Sequence, residues 1–124
     1  YNGSFYNAVA LPDNGWLVYG MRGNAFVHRN EGPWQRSEMP APISFFGHAQ
    51  LPDGKLVLLG QGSMMAVTQD GGAHFTLVRL PGRATLMDMV LREDGTGWLA
   101  SDAGLIAYSP FAPTEAPTAS GAQP

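Results

Sequence analysis

Leu11-Pro12-Asp13 returns as Leu51-Pro52-Asp53 at a shift of 40 residues, and at that shift Gly20 returns as Gly60 and Asn30-Glu31-Gly32 as Asp70-Gly71-Gly72. A third copy follows, in which Asp53-Gly54 returns as Asp94-Gly95 at a shift of 41 and Gly15-Trp16-Leu17 as Gly97-Trp98-Leu99. One such match carries little weight. Several at a near-constant spacing restrict the chain to folds that stack one supersecondary unit of about 40 residues against the next.

Each copy reads as strands. In the first, residues 5–11, 16–19, 24–29 and 34–37 are short runs parted by Pro12-Asp13-Asn14-Gly15, by Gly20-Met21-Arg22-Gly23 and by a polar stretch around Asn30, before Pro40 and Pro42 close the copy. Such runs are too short for amphipathic helices, and Gly and Asp-Gly punctuation is what hairpins require. The 16 Gly and 10 Pro fit the same frequency of turns. About four strands per roughly 40 residues is the arithmetic of a β-propeller blade. The expected organisation is all-β, with antiparallel four-stranded blades over 1–42 and 43–84, an incomplete last blade over 85–109, and a tail over 110–124.

The tail, "PFAPTEAPTASGAQP", is poor in the apolar residues that would offset its ordering entropy, so it is expected to be disordered. That leaves two and three-quarter blades, fewer than the roughly four that close a ring. The chain is therefore expected to be the C-terminal part of a larger propeller, or a piece completed by another chain. The partner predicted at this level is a protein: the remaining blades or a second polypeptide. Tyr1 is expected to be a processed, truncated or chosen start, because no signal peptide precedes it.

Charge removes several function classes. The net charge is −3, with one Lys and six Arg and no basic stripe, which argues against nucleic acid as a partner. No apolar run reaches the roughly 18 residues of a membrane-spanning helix. The absence of cysteine excludes an intrachain disulfide framework and a thiolate metal site.

Thr68-Gln69-Asp70-Gly71-Gly72-Ala73-His74-Phe75 falls between strands three and four of the second blade. A short Asp side chain there can accept turn N–H groups, glycine supplies positive φ, and the aromatic can pack inward. The stretch resembles the Asp-box of bacterial neuraminidase repeats, Ser/Thr-x-Asp-x-Gly-x-Thr-Trp/Phe, and departs from it only at His74. His28-Arg29-Asn30-Glu31-Gly32-Pro33-Trp34 is a shorter copy with Asn for Asp, and the third blade has none. Gly-x-x-Gly, a strand and then this box look most like the photosystem II stability/assembly-factor-like branch of these propellers, over residues 5–109. That branch includes bacterial proteins with no photosynthetic role. The resemblance implies an exported or membrane-adjacent scaffold, periplasmic or secreted, with the box on the rim away from any active site. Thr68, Asp70, Gly72 and Phe75 are thus expected to be structural, with a cation at Asp70 as the alternative reading.

Other residues that could carry chemistry have plain explanations. His28, His48 and His74 show no metal-ligand spacing; His28 and His74 are expected near turns and His48 on an inner strand. Asp13, Asp53 and Asp94 recur at equivalent turns, where turn chemistry accounts for them and where they do not face each other as glycosidase acids must. Resemblance to sialidases would demand an arginine cluster. Arg22, Arg29, Arg36, Arg79, Arg83 and Arg92 are available, but the Arg-Ile-Pro motif of those enzymes is absent. Met64, Met65, Met87 and Met89 are expected to fill core. No catalytic residue, metal or cofactor is assigned. Loops on a rigid scaffold are where recognition concentrates, so the candidate partner-facing patch is Arg22, Gln61, Arg83 and Asp102 in loops, beside Asn7 and Asp88 on inner strands. The expected function is a non-catalytic scaffold that binds a protein, in assembly or support of an envelope complex; a sialidase-like hydrolase fragment and a self-associating module are the alternatives.

Overall fold

A computed structural model describes residues 3–109; the expectation for residues 110–124 lies outside them. The first sheet runs β1 (Phe5–Ala10), β2 (Trp16–Gly20), β3 (Ala25–His28) and β4 (Gln35–Arg36). The second runs β5 (Phe45–Gln50), β6 (Leu56–Gly60), β7 (Met64–Thr68) and β8 (Thr76–Arg79). The third holds β9 (Leu86–Leu91), β10 (Gly97–Ser101) and β11 (Gly104–Tyr108). All three are antiparallel meanders in sequence order. They are β-propeller blades, two of four strands and one of three.

Turn chemistry sets the hairpins. Asp53 accepts the Lys55 N–H at 3.1 Å, and Asp94 accepts the Thr96 N–H at 2.9 Å. Gly54 and Gly95 supply the positive φ that each turn needs. These hydrogen bonds hold both carboxyls below the usual carboxylate range.

The blades bury two apolar layers. Leu17, Tyr19, Ala25 and Val27 of the first meet Phe45, Leu56, Leu58, Ala66 and Phe75 of the second. Val57, Leu59 and Met65 on the other face of the second meet Leu86, Met89 and Leu99 of the third. The middle blade is thus covered on both faces, which is why β6 reads Leu-Val-Leu-Leu without alternation.

Every inner strand carries the same bulge. Phe5, Phe45 and Leu86 pair with Gly20, Gly60 and Ser101, and Asn7, Gly47 and Asp88 pair with Tyr19, Leu59 and Ala100. Tyr6, Phe46 and Met87 are the extra residues. Tyr6 stacks on Phe46 with ring centroids 5.0 Å apart, and Met87 is half-exposed rather than core filling. Met65 and Met89 are buried, and Met64 is half-buried. A Cβ on Gly47 would overlap the Met87 carbonyl oxygen, so glycine allows the inner strands of the second and third blades to approach.

The strand register corrects one match between the copies. Leu17, Val57 and Trp98 pair with Val9, Ala49 and Val90, so Trp98 is equivalent to Leu17 and not to Trp16. The Gly-Trp-Leu likeness is one residue out of structural register. Because strand side chains alternate, Trp16 and Trp98 lie on opposite faces of their blades.

Candidate functional site

Antiparallel meanders place the turns between strands two and three at one end of the blades, together with the linkers that start each following blade. Here the chain pins itself in a repeating way. Gln61 Oε1 accepts the Ser44 N–H at 3.2 Å while the Gln61 N–H donates to the Ser44 carbonyl at 3.1 Å. One blade on, Asp102 Oδ1 accepts the Thr85 N–H at 2.9 Å while the Asp102 N–H donates to the Thr85 carbonyl at 3.1 Å. Gln61 and Asp102 are the same device.

A second pin lies beside it. Ser63 is fully buried with φ 57, donates its N–H to the Ala84 carbonyl at 2.7 Å, and accepts the Ala84 N–H on Oγ at 2.9 Å. Gly23 does the corresponding work in the first blade, donating to the Ile43 carbonyl at 2.6 Å with φ 74. Ser63 was not singled out in sequence. The available signal was its place opposite Gly23, in a turn that demands a left-handed residue.

The six candidate patch residues fall into two groups at this end, flanked by the inner strands. Arg22, exposed with φ 57, donates its N–H to Ser44 Oγ at 3.0 Å and lies with Gln61 around the first linker. Exposed Arg83 lies with Asp102 at the second linker. Asn7 and Asp88 follow the bulges, and each carboxyl or amide oxygen accepts the next residue's N–H, at 2.9 Å and 2.8 Å. Gln61, Asp102, Asn7 and Asp88 therefore spend acceptors on the chain's own backbone, whereas Arg22 and Arg83 are exposed residues.

A titratable pair crosses the first blade boundary nearby, Tyr19 Oη to His48 Nδ1 at 2.8 Å. Burial pushes the Tyr19 hydroxyl well above its ordinary value, outweighing the hydrogen bond from Asn7, and burial lowers His48. Burial thus favours the protonated hydroxyl and the uncharged form of the imidazole, and the two share this hydrogen bond.

The Thr68–Phe75 turn sits at the opposite end. Thr68 Oγ1 donates to Asp70 Oδ1 at 2.8 Å and accepts the Gly72 N–H at 3.0 Å. Asp70 Oδ1 also accepts the N–H groups of Ala73 and His74, both at 3.1 Å, and Oδ2 lies 2.7 Å from His74 Nδ1. Burial alone would raise the Asp70 carboxyl, but these hydrogen bonds hold it far below the usual range, and Asp70 in turn raises His74. Gly71 and Gly72 have φ 76 and 99. Phe75 is buried against the first blade, and Arg29 of that blade donates to the Gly71 carbonyl at 2.9 Å. Among the described residues no three His, Asp or Glu side chains converge as metal ligands would, and no helix is long and apolar enough to cross a membrane.

The fold is a set of β-propeller blades whose linkers are pinned by hydrogen bonds at one end. No family model matches the chain, and no curated protein matches it. Among solved structures it is similar to the WD40 beta propeller domain of Doa1, at 12% identity and a TM-score of 0.47 over 86% of this chain and 51% of that one. The chain spans about half the length of that solved domain. The blade assignment stands on the chain's own sheet order and repeated bulge.

Proposed function

We propose that the chain is a non-catalytic β-propeller scaffold that binds a protein partner across the linker end of its blades. The supporting observation is the pinning of both linkers by Gln61, Ser63 and Asp102, which leaves Arg22 and Arg83 exposed on a fixed frame. Recognition favours loops held by rigid elements, and arginine favours carboxylate partners. The recurring carboxylates Asp53, Asp70 and Asp94 are occupied by their own turns, which supports a scaffold over a hydrolase. The turn at Thr68, Asp70, Gly72 and Phe75 supports placing it with Asp-box propellers of the photosystem II assembly-factor-like kind. With that placement goes an exported, periplasmic or secreted location and a part in supporting an envelope complex.

The test is a photo-cross-linking residue at position 22, compared with one at position 30 at the opposite end. A partner captured from native envelopes at position 22 alone, and then binding the purified chain directly, is the expected result. Replacement of Arg22 and Arg83 by Glu should weaken that binding at least tenfold with the circular dichroism spectrum unchanged. Equal capture from both ends, or glycoside hydrolysis lost on replacing one carboxylate, would count against the reading.

A further inference from the structure

A groove of about 350 Å³ opens at the junction of the first and second blades, at the end away from the pinned linkers. Small-molecule sites occupy roughly 300–1,000 Å³, so the groove suits a ligand at the small end of that range. Leu11, Pro12 and Leu56 give it an apolar wall, and Arg29, Gln50 and Gln69 give it polar groups.

Arg29 is the unusual member. It follows β3, is half-buried, and reaches across the junction, where Nη2 donates to the Gly71 carbonyl at 2.9 Å and to the Asp70 carbonyl at 3.3 Å. A Cβ on Gly71 would overlap that Nη2, so glycine at this point of the turn is what admits the guanidinium. Strand register puts Gln69 at the equivalent position of the second blade, so the arginine is no requirement of the repeat.

The electrostatics leave Arg29 a task. Both of its acceptors are neutral carbonyls, and no carboxylate lies within ion-pair distance of it among the described residues. Asp70 lines the same groove, but its carboxyl is taken by Thr68, the Ala73 and His74 N–H groups and the His74 ring. The guanidinium is thus fixed in place by Nη2 while its charge stays unneutralised, and its other N–H groups can serve a further acceptor. A cation already held in one position loses little freedom when an anion arrives.

We propose that this groove binds a small organic carboxylate. Arg29 receives the carboxylate through its remaining donors, the Gln50 and Gln69 amides supply neutral donors beside it, and Leu11, Pro12 and Leu56 take the apolar body. The site lies at the end opposite the linkers and does not depend on what those bind.

The experiment is an NMR titration of the 124-residue chain with phenylacetate, acetate and the uncharged phenylacetamide. Phenylacetate should give saturable amide shifts centred on Gly54, Gln69 and Gly71, acetate the same pattern more weakly, and phenylacetamide binding weaker by about tenfold or more. Arg29→Gln should abolish the response. Because that change also removes the clasp on the second blade, Gln69→Glu is the second variant: it keeps the clasp and sets a competing carboxylate beside the guanidinium. It should weaken phenylacetate roughly tenfold with the melting temperature unchanged. No saturable shift with either acid overturns the proposal, as do equal binding of acid and amide, shifts centred away from the groove, or undiminished binding by Gln69→Glu.

Discussion

The Tyr19 hydroxyl of the first blade meets Nδ1 of His48 in the second at 2.8 Å. This bond ties β2 to the neighbouring inner strand at a point where Tyr19 is buried and His48 half-buried. Tyr19→Phe keeps the packing and removes the hydroxyl from this hydrogen bond. We expect a loss of about 1 kcal/mol, read as a melting shift of roughly 4–8 °C for a domain of this size.

His48 gives that boundary a pH dependence. Its folded-state value lies below the ordinary 6.5 because of burial, partly opposed by Asp88. The unfolded chain therefore takes the proton first as pH falls. The contribution is complete above 6.5 and is lost as pH falls through the lowered value. An NMR titration should find His48 below 6.5, and His48→Gln should flatten the acid side of the stability curve.

Asp70 and His74 act in the opposite sense at neutral pH. Asp70 is held below its ordinary 3.8 and His74 above its ordinary 6.5. The pair is strongest between those two values. It weakens as pH falls through the lowered Asp70 value, and again as pH rises through the raised His74 value. His74→Thr should abolish the alkaline decline while sparing the turn, whereas Asp70→Ala also removes the acceptor for two backbone N–H groups and Thr68. The latter should cost roughly 1–2 kcal/mol in urea unfolding.

Ser63 separates backbone conformation from hydrogen bonding. Ser63→Ala keeps the left-handed residue and loses the bond from Ala84, whereas Ser63→Gly loses the bond but relieves the backbone. Thermal melts should rank the wild type above Ser63→Gly, and Ser63→Gly above Ser63→Ala by about 1 kcal/mol.

Gly47 and Ser37 should respond in opposite directions. Gly47→Ala drives a methyl group into the Met87 carbonyl and should destabilise by about 1–3 kcal/mol as the second and third blades part. Ser37 Oγ is the buried side-chain oxygen among the described residues with no hydrogen-bond partner. Ser37→Ala should leave the melting temperature unchanged or raise it.

Much of this was legible because it is local. The forty-residue spacing, the Asp-Gly turns and the short apolar runs each report on a few neighbouring residues, and each led to the strands and their order. The inner-strand placement of His48 followed in the same way. The Tyr19 partner did not, since it belongs to a different sheet 29 residues away. Nor was it visible that Gln61 and Asp102 would turn inward to hold linkers, because their acceptors are claimed by backbone brought in from the next blade.

The amino-acid sequence by itself determined that this chain is a repeat of antiparallel strand units, because turn residues and apolar run lengths are properties of single segments. Only the tertiary structure decided which face each strand presents. Trp16 and Trp98 share a Gly-Trp-Leu setting, yet pairing places one at the position of Leu56 and the other at the position of Val57. Strand side chains alternate with a period of two, so a difference of one residue in register sends the two rings to opposite ends of the stack.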